Sequence, residues 1–362
     1  MLSNRTFTIT ISWLGSTALI GLMASLFTRC DQARSERMDD PIRPQLIKGI
    51  NLEGPRDPFA PHELGPIDSL GFNWVSLVPY AFSIPGETFV RWQAEKKYYY
   101  WGESITGIAH CIEMAHAKGM KVMVKPHLWV KNQGWPGDFD LKDPEAWAAW
   151  EKDYRDYVLA FAKLADSLSA ELFCVGTEVR QSVKQRPEFW RSLIQDVRQV
   201  YGGQLTYAAN WDNYHNVTFW EDLDYIGVDG YFPLSKKPKP DKEELLRAWR
   251  PIKKDLAKFS QERNRLLLFT EYGYRSMVYS AGEHWNMKES ELTTDMWAQR
   301  TAYDAFYETF NTEPWYAGGF LWKWSVPHQR SGGVNNSRFT PQNKPAQEVI
   351  YRWNKGSLAD EP

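Results

Sequence analysis

An α/β barrel of eight parallel strands, built as one domain, is the fold this sequence predicts, and three observations predict it. Eight short apolar runs recur along the chain from Gln45 onward. Helical patterns lie between most of them. Each run ends in carboxylates, amides, a histidine or aromatic rings that would gather at one mouth. Strands alternating with helices give a parallel sheet. Eight such units, in roughly 250 residues or more, close into a (β/α)8 barrel. The 362-residue chain has room for one.

The runs are "LIKGINL" (from Leu46), "NWVSLVP" (Asn73), "KVMVKPH" (Lys121), "LFCVGTE" (Leu172), "LTYAAN" (Leu205), "YIGVDGY" (Tyr225), "LLLFTE" (Leu266) and "GGFLWKW" (Gly318). An unbroken apolar run such as Leu266–Phe269 suits a strand buried on both faces. Helical patterns cover Glu103–Lys118, Pro144–Ser169, Pro187–Tyr201, Asp241–Arg263 and Ser290–Thr309. Asp143 is placed to cap the second of these, with Pro144 at its first position. Gly119 is placed to close the first and turn the chain into the third run. The connection Trp211–Asp224, between the fifth and sixth runs, has room for only one short helix. "SKKPKPDK" (Ser235–Lys242) reads as a solvated loop, and no internal repeat interrupts the series.

The N-terminus reads as an address rather than as fold. Arg5 precedes an uncharged stretch, Thr6–Thr28, and then come Arg29, Cys30 and the polar run "DQARSERMDD". A positive start, an apolar middle and a cysteine resemble a bacterial lipoprotein signal, with lipid on Cys30, although Arg29 stands where a small residue is usual. The stretch is also long enough to cross a bilayer uncleaved, and ordinary cleavage is a third possibility. All three put the barrel outside the cytoplasm. Residues 1–30 are therefore assigned to the signal or anchor, 31–44 to a tether, 45–355 to the barrel and 356–362 to a tail.

Charge and cysteine content narrow the function classes. Lys and Arg total 43 against 45 Asp and Glu, so no global basic surface suggests nucleic acid. Cys111 falls in a helical pattern and Cys174 in an apolar run, where both read as small core residues. No CxxC or HExxH spacing appears, and neither a metal nor a cofactor is expected. There is no phosphate loop and no G-x-S-x-G elbow. Nothing calls for a second subunit, so a monomer is expected. The 18 Trp residues serve either an aromatic core or flat surfaces for a ligand.

Two of the eight runs drive straight into a carboxylate: "LFCVGTE" ends at Glu178 and "LLLFTE" at Glu271. Burying a carboxylate is costly unless it is paired or hydrogen-bonded. One explanation is an ion pair that only holds the barrel together. The other is chemistry, because active sites in this fold form at the C-terminal ends of the strands. The fourth and seventh strands lie on opposite sides of the ring, so their terminal glutamates can face each other. Paired carboxylates suit glycoside hydrolysis, one as acid on the leaving oxygen and the other as nucleophile on the anomeric carbon. The acid needs a raised pKa, while the nucleophile needs donors to stay ionised. Tyr231 and Arg275 are candidate donors.

These residues resemble glycoside hydrolase family 113. "GTE" and "FTEYGY" carry the resemblance, with "WVSLVPYAF", "KVMVKPHLWV", "GDFDL", "LTYAANWD" and "DYIGVDGYFPL". It covers about Leu46 to Trp353. It implies a (β/α)8 barrel of the large retaining clan and endo-hydrolysis of β-1,4-mannan. By position, Glu178 is then the acid/base and Glu271 the nucleophile. One departure is Thr177, because many clan members carry Asn before the acid/base, where it binds the sugar 2-hydroxyl.

Further residues follow from this placement. Trp322, ending the eighth run, matches the position of an aromatic floor under the reacting sugar, and Trp324 lies beyond it. Lys125, His127, Trp129, Asn210, Trp211, Asp229 and Tyr231 all end runs and are candidates for sugar contact, with Tyr231 also a donor to Glu271. Lys125 and His127 have an alternative use, as partners for a carboxylate below. The connection Pro79–Ser104 crowds Trp92, Tyr98, Tyr99, Tyr100 and Trp101, and Trp135 follows Trp129. Such rings either stack on pyranose faces or pin their own loops to the barrel. Two alternatives to a mannanase stay open: a non-catalytic carbohydrate-binding surface protein, and an exo-acting or transglycosylating β-glycosidase.

Overall fold

In the computed structural model of the protein, residues 45–92, 100–283 and 293–356 are described. The signal, anchor and tether assigned to residues 1–44, Cys30 included, lie outside them, as do Tyr98, Tyr99 and the tail after residue 356. Among the described residues no helix is long and apolar enough to cross a membrane.

Among the described residues ten strands are formed: β1 (Ile47–Leu52), β2 (Trp74–Leu77), β3 (Tyr80–Ser83), β4 (Lys121–Val124), β5 (His127–Val130), β6 (Leu172–Thr177), β7 (Gln204–Asn210), β8 (Ile226–Asp229), β9 (Leu267–Tyr272) and β10 (Tyr316–Trp324). Eight of them close into a parallel barrel in the order β1-β10-β9-β8-β7-β6-β4-β2. These are the eight apolar runs. β3 and β5 form a separate two-stranded parallel ribbon, in which Tyr80 pairs with His127 and Phe82 with Trp129. The third run, read as one strand through His127, is thus split. Pro126 offers no N–H to a ladder and interrupts it between Val124 and His127.

Alternation along the strands sorts two cores. Leu172 and Cys174 join Met123, Ala208, Leu268 and Phe320 in a plug inside the barrel. Phe173 and Val175 face the outer shell, with Tyr154, Tyr157 and Trp190 from the flanking helices. Fully burying one large apolar side chain contributes about 1.5–3 kcal/mol, so the plug and shell dominate stability.

Local signals explain most helix ends. Asp143 accepts from Glu145 N at 3.2 Å to start Pro144–Ser167. Gly119, at φ 71°, closes Ile105–Ala117 with a bond to the His116 carbonyl at 2.8 Å. The helix expected over Ser290–Thr309 runs from Met296 to Phe310, because Asp295 caps it through Trp297 N and Ala298 N, each at 3.0 Å. Between β7 and β8 there is no α-helix. Two short 3-10 turns, Tyr214–Asn216 and Trp220–Asp222, fill the gap, and Trp220 Nε1 ties them through the Tyr214 carbonyl at 2.9 Å.

Candidate active site

Glu178 follows β6 directly, and its backbone N donates to the Ala208 carbonyl at 2.8 Å. Its φ of 54° is left-handed, a conformation costing a non-glycine residue roughly 1 kcal/mol or more. Val179 N, held by the Tyr207 hydroxyl at 3.0 Å, keeps the bend in place. The Glu178 side chain is partly open to the mouth, and Trp135 Nε1 donates to its Oε2 at 2.5 Å. Burial, and then the charges of Asp229 and Glu271, push the Glu178 carboxyl well above the usual carboxylate range.

Glu271 sits inside β9 and is 6% exposed. Three groups surround its carboxylate. Lys125 Nζ contacts Oε1, Tyr231 Oη donates to Oε2 at 2.6 Å, and His127 Nε2 lies 3.3 Å from Oε1, outside hydrogen-bond alignment. Burial alone would raise this carboxyl. The cation of Lys125 above all overcomes it and holds Glu271 down at about 2. His127 itself is kept neutral, with burial and the Lys125 charge lowering it to about 4. The two glutamates, each acting on the other through its charge, are thus shifted in opposite directions.

Below them lies a second buried acid. Asp229 is fully buried, accepts from Thr270 Oγ1 at 2.7 Å and sits 3.4 Å from Lys125 Nζ. Burial raises its pKa to about 7 despite Lys125, with Glu271 adding to the rise.

The structure corrects two of the expected sugar contacts. Lys125 and Asp229 have no exposed surface, so no hydroxyl reaches them, and both serve as carboxylate partners underneath the site. Trp324 is also fully buried and stacks on His328 at 5.2 Å. Trp322 stays partly exposed, stacked parallel to His127 at 5.7 Å, and its peptide bond to Lys323 is cis. Asn210 and Trp211 sit at the rim. Asn210 Nδ2 donates to Asp212 at 2.9 Å, and Trp211 leans on Phe232. Arg275 donates its Nε to the Ser337 carbonyl at 3.3 Å. Thr177 turns its hydroxyl to the Pro126 carbonyl at 3.3 Å.

Beside the reaction centre a cavity of about 790 Å³ opens between β1 and the β3/β5 ribbon. Trp322 and Trp129 line it, with Tyr100, Arg56, Glu53 and Glu103. Trp129 is 49% exposed and Tyr100 44%. Of the other crowded rings, Trp92 packs on Tyr157 and Phe161, and Trp101 on His110, so these two pin the loop. Glu53 is held by Lys323 Nζ at 2.8 Å, whereas burial and the Glu53 charge push Glu103 up to about 7.

Trp135, which the sequence leaves open between stacking on a sugar and pinning its loop, instead donates to Glu178. The signal lay in "GWPGD". A Cβ on Gly137 would sit 2.2 Å from the Trp135 ring, so only glycine lets the indole fold back toward β6. The Arg180 guanidinium covers the same ring, 4.8 Å from its centroid. Among the described residues no group of His, Cys, Asp and Glu is arranged to hold a metal ion.

Comparison with known proteins agrees with this geometry. The description of Glycoside Hydrolase Family 113 matches residues 56–344. No curated protein sequence matches the chain. A solved GH113 β-mannanase, AaManA from Alicyclobacillus acidocaldarius in complex with ManMIm, is 25% identical, with a TM-score of 0.72. The match covers 86% of this chain and 97% of that one. A second GH113 β-1,4-mannanase shares the fold at 23% identity and a TM-score of 0.69, covering 86% of this chain and 99% of its own. A β-glucuronidase from Ruminococcus gnavus shares the barrel at 13% identity and a TM-score of 0.57, over 85% of this chain and 50% of its own. A closed eight-stranded barrel, two glutamates facing across its mouth and a family match over most of its length make the chain a member of Glycoside Hydrolase Family 113.

Proposed function

We propose that the protein is a retaining endo-β-1,4-mannanase in which Glu178 is the acid/base and Glu271 the nucleophile. One observation carries this reading: neighbouring carboxyls are driven in opposite directions, Glu178 up and Glu271 down to about 2. Glu178 is thereby biased toward keeping its proton and Glu271 toward its charged form, as double displacement requires. Glu271 attacks the anomeric carbon while Glu178 protonates the departing glycosidic oxygen. The C–O bond breaks, and the sugar is left as an ester of Glu271. Glu178, now ionised, takes a proton from water, whose oxygen displaces Glu271 and restores the starting state.

Trp322 supports the sugar face and His127 orients it. Trp129, Asn210 and Trp211 offer contacts along the chain. Lys125 and Tyr231 keep Glu271 ionised. Mannan as the polymer rests on the solved GH113 mannanases. The enzyme acts as a single chain outside the cytoplasm, tethered through residues 1–44 by lipid on Cys30 or by an uncleaved anchor.

Proton NMR of mannohexaose hydrolysis tests the reaction. Internal cleavage with the β-anomer formed first is expected. A first-formed α-anomer rules out retention, and single-mannose release from the outset rules out endo action. Cutting of β-glucan or xylan with mannan untouched keeps the chemistry and removes the substrate.

A further inference from the structure

Two buried side chains that the reaction does not use tie the loop after β10 to the segment after β9. Gln299, fully buried on the Met296–Phe310 helix, donates Nε2 to the carbonyls of Tyr274 and Phe339, each at 2.8 Å. Lys344 is 5% exposed. Its Nζ reaches Ser276 Oγ at 2.8 Å, the Arg338 carbonyl at 2.9 Å and Asn336 Oδ1 at 3.1 Å. Burial pushes this amine down to about 7, and a buried polar group of this kind persists only where geometry fixes its partners. Residues 336–339 are thereby clamped to residues 274–276, close in sequence to Glu271.

Phe339 projects from this clamp toward the reaction centre. Its ring meets Tyr231 edge-on, with centroids 5.9 Å apart and planes at 65°. Gly273 permits the approach, since a Cβ there would lie 3.3 Å from Phe339 Cδ1 and 2.6 Å from the Trp322 carbonyl. Tyr231 is partly exposed at the mouth, and its hydroxyl is the neutral donor to Glu271. A phenol in that setting can leave its acceptor by rotating its side chain, unless a neighbour occupies the space.

We propose that Phe339 is a positioning residue for the nucleophile: held by Gln299 and Lys344, it packs against Tyr231 and keeps the phenol hydroxyl on Glu271. The proposal rests on Glu271 being the nucleophile. Without Phe339 the ring loses its backing, the bond to Glu271 is made part of the time, and the charged form of the nucleophile is less favoured. The change acts through the ionisation of Glu271, so the loss falls on kcat rather than KM.

The test uses the full-length protein on mannohexaose, with kcat and KM measured from about pH 3 to 6, where carboxylates titrate. Tyr231→Phe sets the scale, with a roughly ten- to hundredfold fall in kcat and an acid limb moved upward. Phe339→Ala is expected to lose roughly tenfold in kcat with KM nearly unchanged, and to move the acid limb in the same direction. Phe339→Leu, which keeps apolar volume, shows a smaller shift of the same sign and decides the matter alone if the alanine variant does not fold. The double variant Tyr231→Phe/Phe339→Ala is no worse than Tyr231→Phe. Wild-type acid limbs in the folded Phe339 variants overturn the proposal. So does a double variant whose loss is the product of the two single losses. Should Glu271→Gln retain turnover, the nucleophile assignment has failed instead, which is a separate result.

Discussion

The Lys125 ammonium, with no solvent exposure, lies against the Glu271 carboxylate and 3.4 Å from Asp229 Oδ1. One cation thus serves two carboxylates at the bottom of the site. It does not neutralise both equally. Glu271 is held down at about 2, while Asp229, deeper and bonded to Thr270, rises to about 7.

Lys125→Met leaves both acids buried without a cation. Removing one partner of a buried ion pair costs about 3–5 kcal/mol, because the remaining charge is uncompensated. Urea unfolding at neutral pH should show a loss of that size, together with a large fall in turnover. The two acids raise the Lys125 pKa against burial, so its stabilising charge is present at neutral pH and lost only in strong alkali. An unchanged midpoint at neutral pH would contradict the pairing.

Glu178→Gln separates activity from stability. General acid/base loss should lower turnover by roughly 10²–10⁴-fold. The wild-type carboxyl is raised by burial, so above the ordinary carboxylate range the unfolded chain releases its proton before the folded one does. Stability therefore falls as pH rises through that window, and an amide abolishes the slope. The variant is expected to melt higher than wild type at neutral pH, and the gap should close near pH 4. A variant that melts lower at neutral pH shows that Glu178 is not held protonated.

Trp135→Phe removes a donor that favours the charged form of Glu178. The acid then keeps its proton to higher pH, and the alkaline limb of kcat/KM moves upward. A downward shift would mean that the indole holds the protonated form instead.

Trp322→Ala deletes the ring that stacks on His127 and lines the adjoining cavity. An aromatic contact of this kind is worth about 0.5–1.5 kcal/mol, so kcat/KM on mannohexaose should fall up to roughly tenfold. Unaltered kinetics would assign the indole to packing alone.

The sequence reveals the barrel well because every strand is an apolar run and the punctuation between runs is explicit. Pro144 after Asp143 and Gly119 after the first helix are local features, and local features survive folding. The ribbon is not legible in the sequence because Pro126 sits inside an otherwise continuous run. Glu178 and Glu271 stand out because a charge at the end of a buried strand needs an explanation. The fate of Lys125 and Asp229 was not legible. Strand ends give direction along the barrel axis, whereas depth is set by register shifts such as the one between Val228 and Asp229. Trp135 and Phe339 arrive from loops, and nothing in their neighbours' spacing announces that one approaches Glu178 and the other Tyr231.

The break at Pro126 has a consequence for how this enzyme can change. The barrel ladder ends at Val124, and a separate ribbon begins at His127. Tyr80, Phe82 and Trp129, which wall the cavity, belong to that ribbon, Glu271 belongs to the barrel, and Lys125 lies in the link between the two. The cavity wall and the carboxylate centre thus draw on two β elements, joined at Val78–Pro79 and at Lys125–Pro126. Substitutions at Phe82 and Trp129 alter the cavity wall, whereas His127, in the same ribbon, lies 3.3 Å from Glu271 and is the position to leave alone. For an engineer, β3 and β5 are the place to graft new specificity.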